Sequence, residues 1–209
     1  MSDAPGGCCL RQLVEAAAER DPDAVAILAP GRTPLTYGRL SRHIADVVGV
    51  LNTLGVGRND RVAMVLPDGP EAAVAFIAIA AGATCAPLNP ACRSAEFELH
   101  LAQLNCRALL VPAGSTSPAV AVARDRGIPI LELTPMERSE AGRFTLTLSD
   151  PGRLEPHTLK PGFAEPEDVA LALPTSGTAA RPKLVPLTHR NICSSAHSIR
   201  AVGRRRTVG

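Results

Sequence analysis

The sequence predicts an α/β fold, a mainly parallel sheet flanked by helices, on three observations. Short apolar runs alternate with stretches of helical periodicity from Arg61 to Leu133. Aromatic residues make up only 2% of a chain that is 45% hydrophobic, so the core must be built from Ala, Val, Leu and Ile, which suits helices packed on a buried sheet. Several apolar runs end at a proline (Pro67, Pro87, Pro112, Pro174), where a missing N–H is tolerated because the strand is leaving the sheet. At 209 residues the chain can bury roughly 70% of its unfolded surface, enough for one substantial core.

Taken in order, Leu10, Leu13, Val14 and Ala17 recur at helical spacing, and Ala24 to Leu28 forms a short strand closed by the turn signal Pro30-Gly31. A long amphipathic helix follows, carried by Leu40, Ile44, Val47, Val48, Leu51 and Leu54, with Thr36 as N-cap and Gly55 as its stop. The alternation then reads strand Arg61–Leu66, helix Glu71–Ala81, strand Thr84–Leu88, helix Ser94–Leu104 and strand Ala108–Val111. A helix near Ser117–Arg126 and a strand Ile128–Leu133 complete it. Val62, Met64, Val65, Leu109, Val111, Ile130, Val169 and Leu171 are expected to be buried. Between Pro135 and Glu167 the residues Pro151, Gly152, Pro156, Pro161, Gly162 and Pro166 break the pattern around one strand, Phe144–Leu148, which reads as a connecting excursion rather than a domain. The run Val169–Leu173 restores order. In such sheets ligands bind at the carboxyl ends of the strands.

Composition excludes several classes of function. A net charge of +2 gives no broad electrostatic footprint for nucleic acid, and the lack of aromatic platforms argues against binding single strands. The uncharged stretch Ala72–Cys92 is broken by Gly82, Pro87, Asn89 and Pro90, so a buried helix running into a strand is expected there and not a membrane span. Met1 to Leu10 has no basic flank and apolar stretch of the secretory kind, so the expected compartment is the cytoplasm. The six cysteines, at 8, 9, 85, 92, 106 and 193, show no zinc-ligand spacing and read as reduced thiols. The histidines at 43, 100, 157, 189 and 197 form no metal-ligand pattern, and His189 and His197 read as surface or helix-face positions. Arg204-Arg205-Arg206 reads as a solvated tail, not as a nucleic-acid or membrane patch.

The segment Thr175-Ser176-Gly177-Thr178-Ala179-Ala180-Arg181-Pro182-Lys183 concentrates three hydroxyls, small residues and a lysine directly after a buried strand. Phosphate binding needs approachable backbone N–H groups, hydroxyl donors and a cation, and this loop has all three. An ordinary polar turn would share part of that composition. A Walker A loop fails twice, because Pro182 precedes the lysine where glycine is needed and Leu184 follows it where Ser or Thr should hold Mg²⁺. Ser176 lacks the G-x-S-x-G elbow of a nucleophile, and Cys193 has no catalytic partner in the sequence.

Thr175 to Val185, reading TSGTAARPKLV, resembles the Ser/Thr/Gly-rich phosphate loop of the adenylate-forming, AMP-dependent superfamily of acyl-CoA synthetases, peptide-synthetase adenylation domains and luciferases. The continuation Pro186-Leu187-Thr188-His189-Arg190-Asn191 is similar to the strand and helix that follow the loop there. Upstream, Leu35-Thr36-Tyr37-Gly38-Arg39-Leu40 looks like the family's early helix start, and Ala80-Ala81-Gly82-Ala83 through Pro87-Leu88-Asn89-Pro90 like its helix-to-strand turn. The resemblance covers residues 1–199 as an incomplete first part of the family's large N-terminal domain, and residues 200–209 are expected to be a disordered non-family tail. A truncated or frameshifted gene would account for that stop. Ala179, Ala180 and Leu184 depart from the family's usual Thr, Gly and Gly, and the loss of the hydroxyl at 179 removes a donor worth about 1.5–3 kcal/mol. The wording ARPK-x-VPLT-H-R-N leans toward the oxalate- and dicarboxylate-activating branch.

This resemblance implies a ligase using ATP and Mg²⁺ to turn a small-molecule carboxylic acid into an acyl-adenylate, with coenzyme A as the co-substrate that takes the acyl group. It implies that Thr175, Ser176, Gly177, Thr178 and Lys183 hold the ATP phosphates. No residue is assigned as a general base or metal ligand. The family's aromatic-Gly-x-Thr-Glu motif, ribose aspartate and adenylation lysine are not found in these 209 residues, so the chain alone is expected to be inactive. The alternative is a non-catalytic remnant that at most binds nucleotide weakly.

Overall fold

The structure is a computed structural model that describes residues 8–152, 158, 160–175 and 183–206. Helix α1 (Leu10–Arg20) leads into a short hairpin, β1 (Val25–Ile27) and β2 (Leu35–Thr36). The Thr36 hydroxyl then accepts the Arg39 N–H and starts α2 (Tyr37–Thr53), as a β-region N-cap should. Gly55, at φ 72°, supplies the left-handed residue just past the end of that helix. The alternation continues through β3 (Arg61–Met64), α3 (Pro70–Ala80), β4 (Thr84–Pro87), α4 (Ser94–Leu104) and β5 (Ala108–Pro112). It ends with α5 (Pro118–Asp125), β6 (Ile130–Pro135), β7 (Phe144–Asp150), β8 (Val169–Thr175), β9 (Lys183–Thr188) and α6 (His189–Arg206).

Among the described residues the main sheet has seven strands in the order β7-β6-β5-β3-β4-β8-β9. Strands β6, β5, β3, β4 and β8 run parallel, while β7 and β9 close the two edges antiparallel. The period-two alternation of the central strands divides the core in two. Val62, Met64, Leu110 and Leu131 face a layer that includes α2 and α3, whereas Ala63, Val65, Leu109 and Val111 face α4 and α5. The small Ala81-Gly82-Ala83 corner lets α3 turn tightly under α2. A Cβ on Gly82 would lie 2.8 Å from Val48 Cγ1.

Six of the eight residues expected to be buried are so: Val62, Met64, Val65, Leu109, Val111 and Ile130. Val169 and Leu171 are only half-buried. The inward residues of β8 are instead Ala170 and Ala172. The other face of β8 looks out over the β9 end of the sheet, where the paired Leu173 and Val185 remain 36% and 39% exposed. Strand periodicity identifies the two faces of β8 but not how far the helical layer extends over each. Residues 200–206 also differ from expectation, because α6 continues through Arg206, and residues 207–209 lie outside the described residues. Alanine and arginine are strong helix formers, and one internal glycine, Gly203, costs only about 1 kcal/mol. No helix of the described residues is long and apolar enough to cross a membrane.

Candidate phosphate-binding site

Strand β8 lies parallel to β4 with Leu171 opposite Cys85, so its last residues run past the end of β4 at Pro87. Pro174 therefore sits where β4 has already ended, pairing only across to Leu184 of β9. One step further, Thr175 pairs with Lys183 as the last register pair of the antiparallel β8–β9 hairpin. Thr175 and Lys183 thus stand at the carboxyl edge of the parallel strands, the edge at which ligands bind in sheets of this kind. Ser176, Gly177 and Thr178 lie outside the described residues, as do Ala179, Ala180, Arg181 and Pro182. Lys183 is exposed at the foot of the loop, and Leu184 is half-buried against the α4/α5 side of the core.

The base of this hairpin is held by a polar network that no local sequence signal marks. Asp168, 7% exposed just before β8, accepts from Arg58 Nε at 2.6 Å and from Asn59 Nδ2 at 2.7 Å. Its Oδ2 also accepts the Glu165 N–H at 2.7 Å, while Asn59 Oδ1 accepts the Val169 N–H at 2.9 Å. Arg58 reaches Glu165 Oε1 as well, at 2.6 Å. Burial pushes the Asp168 carboxyl up, but the hydrogen bonds from Arg58, Glu165 and Asn59 outweigh it and hold the group below its usual value. The same contact with Asp168, followed by that with Glu165, raises Arg58. Thr84 Oγ1 donates to the Val169 carbonyl at 2.6 Å, fastening the first residue of β8 to β4.

At the other end of the hairpin, Thr188 and Asn191 cap α6 reciprocally. Asn191 N–H donates to Thr188 Oγ1 at 3.2 Å, and Thr188 N–H to Asn191 Oδ1 at 3.0 Å. His189, read from sequence as a surface or helix-face residue, is fully buried at this junction. Its N–H donates to the Asp168 carbonyl at 3.1 Å, and its Nδ1 accepts the Leu10 N–H at 3.2 Å. An accepting Nδ1 requires the neutral ring with its proton on Nε2, and burial lowers the pKa in the same sense, opposed by the Ala80 backbone and Asp168. Asp168 thus contacts both ends of the hairpin, through its side chain at β8 and its carbonyl at α6. The arrangement provides a rigid foot for a loop. Among the described residues no group of three His, Cys, Asp or Glu side chains is placed to bind a metal ion.

A family profile described as AMP-binding enzyme matches residues 14–208. The chain is 34% identical over 194 residues to a protein named Probable CoA ligase CCL9 from Humulus lupulus, covering 92% of this chain and 37% of that protein. An oxalate–CoA ligase of Arabidopsis thaliana is 33% identical over 195 residues, with the same coverages of 92% and 37%. The chain therefore spans little more than a third of the length of these curated relatives. Among solved structures, apo MatB from Rhodopseudomonas palustris superposes with a TM-score of 0.72 at 25% identity, over 92% of this chain and 37% of that one. The nonribosomal peptide synthetase FmoA3 in its AMPPNP-bound form gives 0.63 at 27% identity, over 99% of this chain and 20% of that one. With the profile matching nearly the whole sequence, the chain belongs to the AMP-binding enzyme family, that of the adenylate-forming CoA ligases.

Proposed function

We propose that the complete enzyme containing this sequence activates a carboxylate with ATP and passes the acyl group to coenzyme A. A carboxylate oxygen attacks the α-phosphorus, the bond to the bridging oxygen breaks, and pyrophosphate leaves an acyl-adenylate. The thiol of coenzyme A then attacks the acyl carbon, releasing AMP and forming the thioester. In this reading Thr175, Ser176, Gly177 and Thr178 donate hydrogen bonds to the β and γ phosphates and Lys183 balances their charge. That contribution is positioning and electrostatic stabilisation of the leaving pyrophosphate. Mg²⁺ enters with the triphosphate, since it is commonly bound through substrate phosphates while keeping several waters.

The observation that carries the reading is the Thr175–Lys183 register pair, which closes a loop of this composition at the ligand-binding edge of the sheet in a chain of this family. The oxalate–CoA ligases among the relatives support a small dicarboxylate as the acid. The chain alone, at 37% of its relatives' length, is proposed to lack the groups needed for adenylation. Carboxylate-dependent exchange of labelled pyrophosphate into ATP, across a panel headed by oxalate and malonate, tests both statements. The complete enzyme is expected to exchange and the 209-residue chain to be silent. Absence of exchange with every acid by the complete enzyme would overturn the activity, and robust exchange by the chain alone would overturn its incompleteness.

A further inference from the structure

The segment leading into α1 is fastened to the start of α6 around three cysteines. Leu10 N–H donates to His189 Nδ1 at 3.2 Å, and the Cys9 thiol donates to the Ala164 carbonyl at 3.2 Å. Cys193 lies one turn beyond His189 on the same helix and is 2% exposed. Its thiol has the side chain of the half-buried Cys8 as hydrogen-bonding neighbour. Cys8 itself donates weakly to the Cys9 carbonyl at 3.5 Å. The two sulfurs thus belong to segments held together by other bonds, which limits the movement needed to join them.

We propose that Cys8 and Cys193 form a site of reversible oxidation, closing a disulfide that ties the N-terminal segment to α6. The oxidant is a peroxide. The Cys8 thiolate attacks one peroxide oxygen, the O–O bond breaks, and the sulfenic acid forms with release of one water. The Cys193 sulfur then attacks the Cys8 sulfur, its proton leaves with the expelled hydroxyl as a second water, and the S–S bond is made. The order of events follows from the surroundings of the three thiols. Burial and the neighbouring Cys8 push Cys193 up to about 12, so the half-buried Cys8, and not Cys193, is the thiol that meets the peroxide first. Cys9, pushed to about 11 mainly by burial, is 3% exposed and already occupied with Ala164.

The test treats the full chain under native conditions with hydrogen peroxide and maps its peptides without reduction. The expected product is a Cys8–Cys193 link within one molecule, with two hydrogens lost from the intact mass, reversed by dithiothreitol. Because the bridge closes nearly the whole chain, the oxidised protein should melt on the order of 10 °C higher than the reduced one. Cys8→Ser, at the more accessible position, should melt like the reduced parent and lose the peroxide-dependent rise. Cys193→Ser should also lose the link, and if it fails to fold the Cys8→Ser result still decides. A Cys8–Cys9 link, cross-links only between molecules, or oxygen addition at Cys8 without a bridge would each overturn the proposal.

Discussion

Asp168 and Arg58 are joined by a 2.6 Å hydrogen bond between Oδ2 and Nε, although 110 residues separate them in the chain. Arg58 follows α2 in the turn before β3, and Asp168 begins the hairpin that carries the loop. Asn59, at φ 65°, adopts the left-handed conformation from which its side chain reaches both Asp168 and Val169. Removing the carboxylate leaves the Arg58 and Asn59 donors facing a gap in a mostly buried position. Asp168→Ala is therefore expected to destabilise the fold by about 3 kcal/mol, the usual scale for breaking a buried pair from one side. Urea unfolding of the parent and the variant measures it. A loss below roughly 0.5 kcal/mol would show that the network does not hold the hairpin.

The buried histidines make stability fall in weak acid. His43, 4% exposed on α2, packs edge-on against Phe144 at 4.7 Å between ring centroids. Burial and the nearby Arg143 lower its pKa from 6.5, against a smaller opposing effect of Asp46. His189 is lowered from 6.5 in the same way. Both groups bind protons more readily in the unfolded chain, so stability rises with pH through this window. The expected result is a progressive loss as pH falls below about 6.5, levelling off once the folded-state values are passed. Asp168 adds a second loss in stronger acid, below its ordinary value of 3.8. In His43→Leu, the change in unfolding free energy between about pH 7 and about pH 5 should be smaller than in the parent. An unchanged slope would assign the acid sensitivity elsewhere.

The elements whose signal is local are legible in the sequence. Helix α4 is observed at Ser94–Leu104, the bounds its periodicity predicts, and the Thr36 cap follows from one residue type at one position. The loop at 175–183 stands out by composition, since its hydroxyls, small residues and cation are what the proposed phosphate binding would need together. What the sequence does not disclose depends on distant partners. Nothing near Asp168 announces that Arg58 and Asn59 will meet it, and nothing near His189 announces that Leu10 will cover it. The half-exposure of Leu171 has the same origin, since its cover depends on where the helical layer ends. The continuation of α6 through Arg206 was hidden for another reason: its last turns carry helix propensity without an apolar face.

Gly82 and Val48 form a tight corner of the core. A Cβ at position 82 would stand 2.8 Å and 2.9 Å from the two methyl carbons of Val48. Gly82→Ala should therefore cost about 1–3 kcal/mol through overpacking. Trimming the neighbour in Gly82→Ala/Val48→Ala should recover part of this, with a coupling of at least about 0.5 kcal/mol in a double-mutant cycle. Simple additivity would mean that the backbone shifts to accept the methyl and that close approach is not what requires glycine here.

Lys183 offers the most direct test of the loop. It opens β9 opposite Thr175 and is exposed, so replacing it should leave the core and the hairpin register intact. If its ammonium balances the charge of the ATP phosphates, Lys183→Ala in the complete enzyme removes a charge-assisted contact worth about 1.5–3 kcal/mol. That corresponds to a rise in the ATP requirement of roughly tenfold to a hundredfold, with the unfolding midpoint unchanged. Lys183→Arg retains the charge but spreads it over a planar fork, so it should recover part of the loss without restoring full activity. Steady-state kinetics at varied ATP and fixed carboxylate, with pyrophosphate release as the signal, separate these outcomes. Unchanged ATP dependence in Lys183→Ala would remove this residue from phosphate binding.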